Sequence, residues 1–128
     1  MKESDIVKKL ENALTAQGCF AVKYTPSQFS RTGIPDLLVC INSRFVGIEV
    51  KVVENENRTP DVTDLQYNKL EKIANARGLG LVVAYEKNGK KKWRVYKTIS
   101  YGSPPWSVNG YYLNPTELVS KLIEKLKV

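Results

Sequence analysis

Histidine is absent from this chain of 128 residues. That absence excludes Ser-His and Cys-His nucleophilic catalysis, histidine acid–base chemistry and histidine-based zinc sites together. Cysteine is nearly as scarce: Cys19 and Cys40 belong to no CxxC pair and are expected as small core residues in strands, with neither a disulfide nor a ligand role. No apolar run approaches the roughly 18 residues of a membrane span, and the polar opening MKESDIVKK lacks the apolar stretch of a signal peptide. A cytoplasmic location without membrane attachment is therefore expected. Glycine-rich phosphate loops, internal repeats and low-complexity tracts are missing as well, so no nucleotide cofactor is expected. Carboxylates, lysine and cation-activated water remain as chemical agents.

Negative charge is also in short supply. Twenty Lys and Arg face thirteen Asp and Glu, for a formal net charge of +7 and a pI near 9.4, which points to an anionic partner such as nucleic acid. The length fits a single domain over residues 1–128 with room for a sheet core and helices on it.

The stretch Gly33–Lys51, GIPDLLVCINSRFVGIEVK, reads as two strands joined at Asn42 and Ser43. If those two residues are the loop of a hairpin, opposed residue numbers sum to 85 and Asp36 lies across from Glu49. Directly opposed Cβ atoms sit about 5 Å apart, close enough for both carboxylates to reach one divalent cation, and Lys51 follows Glu49 on the same face. The other face is apolar, with Leu37, Val39 and Ile41 against Val46, Ile48 and Val50. Charges gathered beside such a core are costly unless paired, and a bound cation is the simplest compensation.

Around this hairpin the periodicity predicts a first helix over Glu3–Gln17, stopped at Gly18, and a short strand over Cys19–Tyr24. Glu3 continues the stripe of Val7, Leu10 and Leu14, whereas Glu11 lies with Lys8 and Asn12 on a wetter face. Glu3 either approaches the sheet or only complements the positive helix N-terminus. The loop TPSQFSRTG leads into the hairpin and offers Gln28, Ser30 and Arg31 as phosphate contacts, against the alternative of a solvated loop. After Lys51, VVENENRTPDV is expected as an unstructured, mobile loop at the rim of the site. A second helix is expected over Val62–Arg77, with Val62, Leu65, Leu70, Ile73 and Ala74 facing inward and Gly78 ending it. Gln66 interrupts that stripe, and two readings stay open for it: an inward amide at the site, or the closing residue of a Thr63–Gln66 capping box.

Gly80–Tyr85 reads as a buried strand joined by a Lys87-Asn88-Gly89-Lys90 turn to a strand over Trp93–Lys97. Lys87, Lys90, Lys91, Lys92 and Arg94, with Lys97, Trp93 and Tyr96 among them, are expected to follow a DNA backbone as a group, although lysines at turns also prevent aggregation. Residues 100–112 show no periodicity; a packed loop, a dimer contact and a stacking platform all remain open. Asn114 as cap and Pro115 at the first position open a last, structural helix through Leu126.

Helix, strand, loop, PD, hairpin, ExK, helix with an inward glutamine, strand is an order that resembles the PD-(D/E)XK nuclease superfamily. The resemblance covers about Glu3–Tyr85 and implies an α/β, restriction-endonuclease-like αβββαβ core: a central mixed sheet flanked by helices, followed by the strand of a C-terminal hairpin and a helix. Gly33-Ile34-Pro35-Asp36, Ile48-Glu49-Val50-Lys51 and Gln66 look most like the virus-type replication-repair nuclease (VRR-Nuc) family and the archaeal and phage Holliday-junction resolvases. The resemblance implies that Asp36 and Glu49 hold Mg²⁺ or Mn²⁺ with the Val50 carbonyl as a further ligand, that Glu3 completes the metal site, and that Lys51 orients water or stabilises developing charge. Gln66 then supports the lysine and the geometry of the site. The implied activity is a metal-dependent DNA endonuclease, a homodimer resolving four-way junctions. A homing, nicking or restriction-type enzyme on duplex DNA is the alternative, and a nuclease-fold module that binds DNA without cutting it is a third.

Overall fold

The structure is a computed structural model that describes residues 2–26, 32–102 and 107–127. Helix α1 (Glu3–Ala16) leads into β1 (Phe20–Lys23), the hairpin β2 (Leu37–Ile41) and β3 (Arg44–Val53), helix α2 (Asp64–Asn75), β4 (Leu79–Glu86), β5 (Trp93–Ile99), β6 (Gly110–Tyr112) and helix α3 (Pro115–Lys125). The strands form one mixed sheet in the order β1-β2-β3-β4-β5-β6. Among the described strands only β3 and β4 run parallel, because α2 carries the chain back across the sheet between them, as a parallel pair requires. Among the described residues, no helix is long and apolar enough to cross a membrane.

The hairpin sets the register. Asn42 and Ser43 take positive φ values of 50° and 70°, the left-handed pair that a tight two-residue turn demands and that Asn tolerates better than most residues. With that turn, Leu37 pairs with Ile48, Val39 with Val46 and Ile41 with Arg44. Leu37, Val39, Ile41, Val46, Ile48 and Val50 are all buried on one face, under Ile6, Val7, Leu10 and Leu14 of α1 and Leu118, Val119 and Leu122 of α3. Burying each such side chain contributes about 1.5–3 kcal/mol.

Helix α2 covers the opposite face, and two glycines let it come close. Gly47 and Gly80 are neighbours across β3 and β4. A Cβ on Gly47 would lie 2.5 Å from Ile73 Cδ1, and one on Gly80 would lie 2.9 Å from Leu70 Cβ. This seat fixes α2 against the strand that carries Glu49.

Several expectations change. Helix α2 starts at Asp64, two residues later than expected, and Leu65 is exposed, because with Leu70, Ile73 and Ala74 inward its azimuth falls off their stripe. Cys40 is exposed and not a core residue: it points to the face of β2 that α2 leaves bare. Cys19 is half-buried against the core. Strand β3 runs on through Val53, and the segment after it is tied to the β4–β5 turn: Lys87 N–H donates to Val53 O at 3.0 Å, Asn88 N–H to Glu54 O at 2.9 Å, and Arg94 Nη2 to Arg58 O at 2.9 Å. The unstructured rim loop is thus a docked one. Within 100–112, Gly110–Tyr112 forms the edge strand β6, too short for any periodicity and placed by its pairing with β5.

Candidate active site

Extending the hairpin register by one residue beyond Leu37–Ile48 sets Asp36 against Glu49. Asp36 Oδ2 accepts the Val50 N–H at 2.8 Å, so the aspartate is clamped onto β3 by the backbone next to Glu49. Glu49 is 3% exposed. Gln66 Nε2 donates to Glu49 Oε1 at 3.1 Å, while Glu49 Oε2 is buried without a hydrogen-bond partner. Burial first, then the charge of Asp36 beside it, push the Glu49 carboxyl up to about 9, with Lys51 opposing and Glu3 adding to the rise. Two carboxylates here repel each other, and a positive charge between them is what would let both ionise.

Gln66 does both things that its position in the sequence left open. Its backbone N–H donates to Thr63 Oγ1 at 3.2 Å and its Oε1 accepts the Thr63 N–H at 3.0 Å, closing the capping box, and its remaining amide group reaches Glu49. Glu3 sits in the first turn of α1 and is exposed, yet it lies within electrostatic reach of the pair: partial burial raises its pKa, Asp36 raises it further and Lys51 lowers it. Lys51 is half-buried on the Glu49 face of β3. The structure therefore brings Asp36, Glu49, Lys51 and Gln66 together, with Glu3 coupled to them through charge.

Asp36 and Glu49 are the hard oxygen donors that Mg²⁺ or Mn²⁺ takes, and the unpartnered Glu49 oxygen is the one a cation would satisfy. Among the described residues no three acidic or thiol groups converge as a closed metal cage. Two carboxylates suit Mg²⁺ all the same, since it binds through one or two and keeps several waters.

The expected DNA contacts separate. Gln28, Ser30 and Arg31 lie outside the described residues. Lys87, Lys90, Lys91 and Lys92 are exposed around the β4–β5 turn. Arg94 is different: its Nε lies 2.9 Å from Glu86 Oε2 and its side chain is 12% exposed, so it is held inward. That contact is an ion pair by distance only, because neither Glu86 oxygen makes a hydrogen bond. Burial raises the Glu86 pKa more than Arg94 lowers it. Glu86 was not singled out by the sequence, where it reads as the last residue before a lysine-rich turn. It is fully buried, next to the turn residues Lys87 and Asn88 that the segment after β3 is tied to.

No protein-family model matches the sequence, and no curated protein sequence matches it. Among solved structures, Hjc of Archaeoglobus fulgidus, a Holliday junction resolvase from an archaeal hyperthermophile, is similar over 93% of this chain and 92% of that one, with a TM-score of 0.59 and 16% identity. At that identity the likeness is one of fold, and the chain has the α/β fold of this resolvase, with a mixed six-stranded sheet and three helices among the described residues.

Proposed function

We propose that this chain is a metal-dependent endonuclease that hydrolyses DNA phosphodiesters, acting inside the cell on four-way junctions. The observation that carries the reading is the clamped acid pair: Asp36 fixed by Val50 N–H, Glu49 buried against it with one oxygen unpartnered. The likeness to a junction resolvase agrees with it, and the basic composition suits a polyanion. The narrower kinship with VRR-Nuc enzymes rests on the residues Gly33–Asp36, Ile48–Lys51 and Gln66.

In this reading Asp36 and Glu49 would hold Mg²⁺ or Mn²⁺ with the Val50 carbonyl as a further oxygen donor, and Glu3 would contribute through its charge, since no three acidic groups converge among the described residues. Such an ion supplies a more acidic water and charge to offset that on the phosphate. The protein's own part is positional. Gln66 fixes the direction of the Glu49 carboxylate, and the Val50 N–H does the same for Asp36. Lys51 brings an ammonium to the phosphate oxygens on the same face, where negative charge grows as the bond breaks. Lys87, Lys90, Lys91 and Lys92 would take up flanking phosphates.

We take the working unit to be a homodimer, which a junction with paired cuts calls for. Phe20, Cys40 and Phe45 form one cross-strand row on the face α2 leaves uncovered, with Phe20 70% and Phe45 44% exposed. Among the described residues no strand pairs with the outer edge of β1. An antiparallel strand can pair with its own copy about a two-fold axis, and a second subunit would cover this row.

The test is cleavage of a synthetic four-way junction beside a linear duplex of the same sequence, with Mg²⁺, with Mn²⁺ and with chelator. Cation-dependent cutting of the junction, abolished in Asp36→Asn, is expected. Equal cutting of the linear duplex would favour a homing, nicking or restriction-type enzyme, and binding without cutting would leave a non-catalytic module.

A further inference from the structure

At the far end of β3 from the acid pair, the hairpin tip and the C-terminal ends of α2 and α3 border an open cavity of about 550 Å³. Its wall carries Arg44, Arg77, Lys125 and Lys127, and none of the described lining residues is acidic. Arg44 is five residues before Glu49 on the strand, so the cavity lies about 17 Å from the acid pair at roughly 3.3 Å per residue.

Helix C-termini attract cations by themselves, and part of this charge is spent that way. Arg44 Nε donates to Arg77 O at 3.2 Å and Arg77 Nη1 to Asn75 O at 2.9 Å. The balance still favours an anion. Two helix ends present roughly −0.5 of a charge each, against four full positive charges. Each guanidinium has five N–H donors, of which these bonds use one.

A second observation is independent of charge. Arg77 has φ +74°, at the position just past the α2 cap where glycine is the usual occupant because other side chains are strained there. Capping alone would be served by glycine at less cost. The Arg77 side chain is instead held over the Tyr101 ring, its guanidinium carbon 3.3 Å from the ring centroid, a stacking that orients the fork and restricts its motion. Strain retained at a fixed, outward-facing cation is the pattern of a binding site.

We propose that this cavity is a second phosphate-binding site, taking the backbone of a DNA arm that runs on from the acid pair. It rests on the reading of DNA as substrate and is separate from the lysines of the β4–β5 turn. About five base pairs of duplex span the distance.

The test uses the full chain with chelator, so that no cutting occurs, and reads anisotropy of a labelled four-way junction and of a linear duplex three helical turns long against salt. One double variant probes the cavity, Arg77→Gly with Lys125→Gln; the glycine relieves the strained φ and the glutamine puts no negative charge at the end of α3, so a folding defect is not the expected cause of any loss. A double variant at the β4–β5 turn, Lys90→Glu with Lys91→Glu, is the comparison. The cavity variant is expected to bind DNA roughly tenfold more weakly, with a log–log salt slope smaller by about two, at an undiminished melting temperature. Unchanged affinity and slope in the cavity variant, while the turn variant loses both, would overturn the site and leave the nuclease reading intact. Pyrophosphate raising the melting temperature of the parent but not of the cavity variant, with DNA binding equal, would overturn the DNA assignment in favour of a small phosphate. No DNA binding by the parent would overturn both readings.

Discussion

Gln66 Nε2 donates to Glu49 Oε1 across 3.1 Å while Gln66 Oε1 is held by the Thr63 N–H. The cap of α2 and the orientation of the buried carboxylate are therefore one hydrogen-bonded chain. An amide flipped about its own bond would lose both contacts, so the helix start fixes which end of Gln66 faces the acid. The Gly47 and Gly80 seat holds α2 close enough for this reach.

Two substitutions separate the halves of that chain. Gln66→Glu keeps a residue competent to close the capping box but replaces the donor to Glu49 with an acceptor. Junction cleavage is expected to fall by about tenfold to a hundredfold, the worth of one hydrogen bond to a charged group, with helix content unchanged by circular dichroism. Thr63→Ala does the reverse: it costs about 1 kcal/mol of stability, while cleavage well below the melting temperature stays within about threefold. Equal losses of cleavage in both variants would show that the amide contributes only the cap.

Gly33 in the Gly-Ile-Pro-Asp stretch has φ +81°, and a Cβ there would lie 2.7 Å from Leu65 O, in the first turn of α2. Gly33→Ala is therefore strained twice, by its backbone angle and by a carbonyl that cannot yield without moving the residue next to Gln66. A loss of about 1–3 kcal/mol in urea unfolding is expected. Cleavage should fall further than the unfolded fraction explains, because the displaced turn carries the Glu49 contact. Unaltered cleavage in the folded fraction would disconnect Gly33 from the site.

What was legible in the sequence is what local geometry decides. A two-residue Asn42-Ser43 loop fixes the register by arithmetic, and the register alone places Asp36 opposite Glu49. Thr63 and Gln66 at cap spacing announce the start of α2, although the apolar residues Val62 and Leu65 pull the expected boundary two residues early and put Leu65 inward. Other features depend on partners remote in the chain. Cys40 looks like a core residue because its strand is buried on its odd-numbered face. Its own face is bare only because α2 sits over β3 and β4. Strand β6 likewise comes from its pairing with β5, which no window of the sequence contains.

Strand β6 offers a check on this tertiary end of the molecule. Tyr112 Oη donates to Val108 O at 2.8 Å, and burial, then Glu117, hold the Tyr112 phenol above its ordinary pKa. The folded state therefore keeps the proton after the unfolded chain has begun to release it. The resulting stability is complete below about pH 10 and is lost as pH rises through the folded value. Tyr112→Phe should lower stability by about 1 kcal/mol at neutral pH, for the lost hydrogen bond, and flatten the fall in melting temperature above about pH 10. An unchanged alkaline slope would assign that fall to other groups.

Binding of the cation is separable from chemistry. A ligand that binds only the folded state stabilises it, by about 2.7 kcal/mol at a hundred times its dissociation constant, so Mg²⁺ or Mn²⁺ should raise the melting temperature and chelator should reverse the rise. Asp36→Asn removes one of the paired carboxylate charges and should abolish the shift together with cleavage. Lys51→Ala leaves both carboxylates and removes an opposing charge from their face; it should keep or enlarge the shift while losing cleavage by about a hundredfold or more, as for removal of a group that stabilises transition-state charge. This pairing of outcomes distinguishes a residue that holds the ion from one that acts on the phosphate. A thermal shift of equal size in Asp36→Asn and in the parent would place the cation elsewhere, and the acid pair would then need another explanation for the unpartnered oxygen of Glu49.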